Sequence, residues 1–159
     1  MKNASARDFF EAARAAAFDL TRSLLKIEEM ESRNGGSSPI ASPRGSGPSD
    51  VNGTAQTIAA LDMQEAMRSR IAEDRALLDL ATSVVYGDSE SGGVRALAGT
   101  TQADVLFWRY LSAEPWDTVA QECGISRRTA IRYANMALDL VDAYGILRTA
   151  SGTGIAQDA

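Results

Sequence analysis

Residues 116–138, WDTVAQECGISRRTAIRYANMAL, spell two short helices joined by a tight turn. Val119, Ala120 and Cys123 fall at helical spacing and give the first helix one apolar face. Gly124 follows at once, where a chain leaving a helix needs a left-handed residue that glycine adopts cheaply. Ile125 supplies an apolar plug, and Ser126 is placed to cap the second helix by accepting a bond from its free N–H groups. Ala130, Tyr133, Ala134, Ala137 and Leu138 recur at three- and four-residue spacing and should face inward. Arg127, Arg128, Thr129, Ile131, Arg132 and Asn135 are then left on the outer face. This is the layout of a helix-turn-helix, whose second helix lies in a DNA major groove.

An ordinary helical hairpin with solvated arginines is the plain alternative. Against it, Ser126 to Met136 holds three arginines and no acid, in a chain with 21 Asp and Glu and 16 Lys and Arg. Ala120, four residues before Gly124, also leaves room for two helices to approach closely. The candidate DNA-contacting residues are therefore Ser126, Arg127, Arg128, Thr129, Ile131, Arg132 and Asn135. Arg127, Arg128, Arg132 and Asn135 are the candidates for reading base edges, the arginines suiting guanine N7 and O6.

The rest of the chain narrows the function. At 159 residues, with 45% apolar residues, there is room for one or two small domains. A net charge of −5 argues against coating nucleic acid through bulk charge, so contact must come from a local patch. There is no histidine and one cysteine, which excludes histidine catalysis, a thiolate metal cage and an internal disulfide. Cys123 reads as a small buried hydrophobe. No cofactor is expected, and no carboxylate pair is marked out as catalytic, so an enzyme is not the expectation. No apolar run reaches the roughly 18–20 residues of a membrane span. The start carries Arg7, Asp8, Glu11 and Arg14 where a signal peptide needs an unbroken apolar core, which predicts a cytoplasmic protein with no membrane contact.

Outward from the central stretch, the pattern predicts an all-α chain in five parts. Residues 1–33 hold an amino-terminal helix capped by Ser5, with Asp8 in its first turn. Its Phe10, Ala13, Ala17, Leu20, Leu24 and Ile27 form a heptad seam, widened by Phe9, Ala16 and Phe18. That seam should pack on another helix of this chain or of its copy. Residues 34–53 hold five glycines, three prolines and five serines and read as a flexible linker. Within it, Arg44 is either a solvated side chain or an arm for a minor groove.

Residues 54–86 form a long helix with Met67, Ile71, Leu78, Ala81 and Val85 on one face, interrupted by Asp74. Ile58, Leu61, Leu77, Leu80 and Val84 broaden that face, and Gln64 and Glu65 lie on the wet side. Residues 87–148 make the helix-turn-helix domain: a turn-rich connection with one helical turn at Val94, Ala96 and Leu97, a helix from Gln102 to Leu111, then the central stretch. Pro115 sits just before or within the first turn of the next helix, where its missing N–H is harmless. Trp108 and Trp116 are expected in the core of this domain. Residues 149–159 read as a disordered tail.

The Ser-Arg-Arg start of the second helix resembles the fourth region of bacterial sigma factors. Taken with the amino-terminal helix, the segment Pro43–Asp50 and the run VLFWRYLSAEPWDTVAQECGISRRTAIRYANMAL, residues 105–138, the chain resembles phage-encoded regulators of the ArpU and RinA type. Ala130 stands where that pattern has a larger aliphatic. The resemblance implies a sequence-specific transcriptional regulator acting on late-gene promoters through double-stranded DNA. RNA polymerase is a second candidate partner. One short recognition helix buries little surface, so a homo-oligomer is expected. Two other readings stay open: a DNA-recognition subunit for packaging, like a small terminase subunit, and a helical adaptor that binds polymerase alone.

Overall fold

The computed structural model describes residues 4–35 and 50–152, with side chains at 4–33 and 57–152. The described chain is all-α. Its helices are α1 (Ala6–Gly35), α2 (Asp50–Tyr86), α3 (Gly93–Leu97), α4 (Thr100–Leu106), α5 (Trp116–Cys123), α6 (Arg127–Tyr144) and α7 (Ile146–Ser151), with a π-helical turn at Phe107–Leu111 after α4. Among the described residues no helix is long and apolar enough to cross a membrane. The expected linker splits: 34–35 and 50–53 are helical, whereas 36–49, with Arg44, lie outside the described residues. Gly53 inside α2 costs only about 1 kcal/mol, too little to stop a helix of this length.

Two compact units divide at Phe18/Asp19 and at Glu73/Asp74. Both long helices contribute to each unit. The unit Asp19–Glu73 consists of the second half of α1 and most of α2. Ion pairs Arg70–Asp19 at 2.7 Å and Arg68–Glu31 at 3.7 Å belong to it. Among its described residues Ser23, Gln64 and Ile71 are buried, while Leu24, Leu25, Ile58, Leu61 and Met63 are exposed. Two expectations change here. Gln64 is buried rather than wet, and Ser23 takes the inward place expected for Leu24. Adjacent helix positions differ by about 100°, as wide as the apolar stripe itself, so spacing alone cannot choose between Ser23 and Leu24.

The other unit holds the core. Phe10, Val84, Val85, Val94, Val105, Leu106, Tyr110, Val119 and Val141 are almost wholly buried, interleaved with Ala13, Ala81, Ala103, Ala130, Ala134 and Ala137. Short side chains at so many positions let the helix backbones pack closely. The start of α1 is part of this core. Ser5 and Asp8 cap it reciprocally, the Asp8 N–H donating to Ser5 Oγ at 3.1 Å and the Ser5 N–H to Asp8 Oδ2 at 3.3 Å. The Ala6 N–H donates to Asp142 Oδ1 of α6 at 2.6 Å. Phe18, in contrast, is half exposed beneath the Arg14 guanidinium, 5.2 Å from its ring centre.

The expected helix from Gln102 to Leu111 widens at Phe107, where the Ser112 N–H reaches back five residues to Phe107 O. Trp108 and Trp116 are half-buried at the edge of the core. Thr149 and Ala150, expected in a disordered tail, are buried instead. The reason is a close backbone approach: the Asp88 N–H donates to Ala150 O at 2.9 Å, and a Cβ on Gly92 would collide with that same carbonyl. Residues 153–159 lie outside the described residues.

Candidate nucleic-acid interface

Helices α5 and α6 are joined by Gly124, Ile125 and Ser126, and each turn residue has a distinct job. Gly124 takes φ 65° and ψ 32°, the left-handed conformation. The Ile125 N–H bonds Ala120 O at 3.0 Å and the Gly124 N–H bonds Gln121 O at 3.2 Å, so the last carbonyls of α5 are satisfied in a Schellman arrangement. Ser126 Oγ accepts from the Thr129 N–H at 3.1 Å and donates to Thr129 Oγ1 at 2.8 Å. That pair fixes where α6 begins and in which direction its first side chains point. Ala130, Ala134, Ala137 and Leu138 are buried beneath it.

The candidate residues separate into three groups. Arg128, Arg132 and Asn135 are exposed on the outer face of α6. They line a shallow concavity of about 420 Å³, together with Thr129, Ile131, Met136 and Asp139. Ser126 and Thr129 spend their side-chain bonds on each other, and Thr129 and Ile131 are only half exposed. Arg127 leans back toward Asp117 of α5 at 3.7 Å. Both of those side chains are largely solvated, so the pair contributes little and leaves Arg127 free to exchange partners. The Arg132 guanidinium lies 5.6 Å from the Tyr133 ring centre, near the outer limit for a cation–π contact.

Other cations collect nearby. Arg7 Nη2 of α1 donates to Asn135 Oδ1 at 2.8 Å. Arg109 lies over the Trp116 ring at 4.6 Å and donates to Glu114 O at 3.1 Å. Burial, and then the charge of Arg14, pull the Arg109 guanidinium below its ordinary value, with Arg127 acting in the same sense and Glu11 against it. Spacing along α6 could not have found Arg7, because its contact spans almost the whole chain. The only local signal was the Ser5–Asp8 cap that fixes where α1 begins. Cys123 is half-buried, and burial, with Asp104 and Glu122, pushes its thiol up and keeps it protonated.

No protein-family model matches the chain, and no curated protein or solved structure is significantly similar to it. The reading of this face rests on its own chemistry.

Proposed function

We propose that α5 and α6 form a DNA-binding helix-turn-helix and that the protein is a sequence-specific, non-enzymatic transcriptional regulator, of the phage late-gene kind suggested by its resemblance to ArpU- and RinA-type regulators. One observation carries the reading: Arg128, Arg132 and Asn135 stand exposed in a row on the outer face of a capped helix whose opposite face is buried. Arginine donors in that row suit guanine edges, and cations around them suit phosphates. The chain's acidity keeps such binding local and sensitive to salt.

A single recognition helix gives too little interface for tight binding, so a second copy is part of the proposal. The exposed Leu25, Ile58 and Leu61 of the unit Asp19–Glu73 are where two copies would pair. The test begins by selecting sites from random duplex DNA with purified protein, followed by titration of alanine variants at Arg127, Arg128 and Arg132. A base-reading arginine should cost about 1–3 kcal/mol on the selected site and relax preference at one position. If the triple variant binds selected and scrambled duplexes as the parent does, the groove role is wrong, and an adaptor that binds polymerase takes its place. A ring-shaped assembly in solution would favour packaging over transcription, and a dimer the reverse.

A further inference from the structure

The outer face of α6 loses its positive charge after its second turn. Beyond Arg132 it offers Asn135, Met136 and Asp139, none of them a cation. Arg7 fills that gap from another helix, with its guanidinium 2.8 Å from Asn135 Oδ1. Three features fix the backbone that carries it: the Ser5–Asp8 cap, the Ala6 bond to Asp142 of α6, and the burial of Phe10 one turn later. A cation held this way loses little freedom on meeting an anion. Its bond to Asn135 uses only part of a guanidinium with five N–H donors.

We propose that Arg7 is a phosphate-contacting residue of the DNA interface, supplying from α1 the backbone clamp that the third turn of α6 lacks. The inference rests on the major-groove role of α6 and adds α1 to the interface. A duplex seated on Arg128 and Arg132 has sugar-phosphate backbone flanking the groove, and a cation at the edge of the recognition row meets a phosphate there. Arg14 lies farther along α1, and its charge acts on Arg109. Its Nε and that of Arg109 are buried without a hydrogen-bond partner, so neither is presented to DNA, and Arg7 is the α1 cation that reaches the face of α6.

The experiment compares Arg7→Ala, Arg7→Lys, Asn135→Ala, the Arg7→Ala/Asn135→Ala double variant and, as a control for the groove, Arg128→Ala on selected and scrambled duplexes between 50 and 200 mM salt. A phosphate contact predicts equal weakening on both duplexes and a log–log salt slope shallower by about 0.9, so the affinity lost across that salt range shrinks by roughly threefold. Lysine at position 7 should restore most of the slope, and the Arg7→Ala effect should persist when Asn135 is already alanine. If Arg7→Ala instead changes base preference at one position, leaves the slope alone and adds nothing to Asn135→Ala, Arg7 merely orients Asn135 and the proposal is overturned. An unchanged Arg7→Ala isotherm beside a weakened Arg128→Ala one also overturns it, while leaving the groove role of α6 intact. If neither variant weakens binding, both readings fall together. Arg7 is exposed, so unchanged thermal melting serves as the folding control.

Discussion

The rings of Phe10 and Tyr110 lie 5.5 Å apart, centre to centre, with their planes inclined by 48°. Phe10 comes from α1 and Tyr110 from the π-turn before α5, and neither exposes more than 1% of its surface. A tilted aromatic pair contributes about 0.5–1.5 kcal/mol beyond the area it buries. The contact makes the beginning of α1 a structural member of the unit that carries α5 and α6. It also explains how Arg7, one turn earlier, comes to stand beside Asn135.

Removing the Phe10 ring should therefore unfold more than a terminal helix. Phe10→Ala is expected to cost about 3–5 kcal/mol, the range for deleting a buried aromatic. Urea unfolding followed by tryptophan fluorescence measures it, since Trp108 and Trp116 pack against the same core. A protease site inserted between Gly35 and Asp50 gives the complementary result. After cleavage the α1 fragment should stay bound to the parent and dissociate from the Phe10→Ala variant. Free dissociation from the parent would mean that α1 is not held by this core.

The carboxy-terminal end offers an equally direct measurement. Thr149 is wholly buried and its Oγ1 donates to Gly145 O at 2.8 Å, while Ser151 O accepts from Ser89 Oγ at 3.2 Å. A chain ending after Arg148 should be less stable than one ending after Gly152 by about 2–4 kcal/mol, from lost burial and from a backbone donor at Asp88 left without its acceptor. Equal melting temperatures would show that α7 contributes nothing.

These two cases mark what could and could not be read from residue order. The turn between α5 and α6 and the buried alanines of α6 were legible, because Gly124, Ser126 and the alanine spacing act within a few positions of one another, whereas Cys123 and Tyr133, expected inward, are only half-buried and α6 runs on to Tyr144. Helix α7 was not, because TASG carries weak local propensity and is held by Gly92 and Asp88, far away in the chain. Ser23 and Gln64 illustrate another limit. Periodicity names an arc of a helix, and only the neighbouring helix decides which edge of that arc is covered. Of the candidate interface, the row on α6 was legible, whereas Arg7 depends on a long-range contact with no local signature.

Alkaline pH should destabilise the protein in a way traceable to one phenol. Burial raises the Tyr86 pKa above its ordinary 10.0, and the hydrogen bond to Asp104 and that carboxylate's charge act in the same direction. Its hydroxyl donates to Asp104 Oδ1 at 3.0 Å. The unfolded chain then loses the proton first, so the contribution is complete below about pH 10 and is lost as pH rises beyond it. The slope approaches about 1.4 kcal/mol per pH unit for one such group. Tyr110, raised mainly by burial, adds the same sign. Tyr86→Phe should be slightly weaker at neutral pH, by about 1 kcal/mol for the lost bond, yet show a flatter decline above pH 10. Urea titrations at a series of pH values check this, and an unchanged slope would remove Tyr86 from the account.

Two turn residues with the same backbone sign should respond oppositely to exchange. Gly124 has φ 65°, and a Cβ there would meet nothing within 4 Å, so Gly124→Ala pays only the left-handed conformational cost of about 1–2 kcal/mol. Gly124→Asn should recover part of that, because asparagine tolerates this region. Ala113, in the turn before α5, already sits at φ 59° without being glycine. Ala113→Gly should relieve its strain and stabilise by about 0.5–1 kcal/mol, less than the full penalty because glycine also loosens the unfolded chain. Paired thermal melts decide the matter. A stabilising Gly124→Ala, or a destabilising Ala113→Gly, would mean that the turn concerned lacks the left-handed conformation assigned to it.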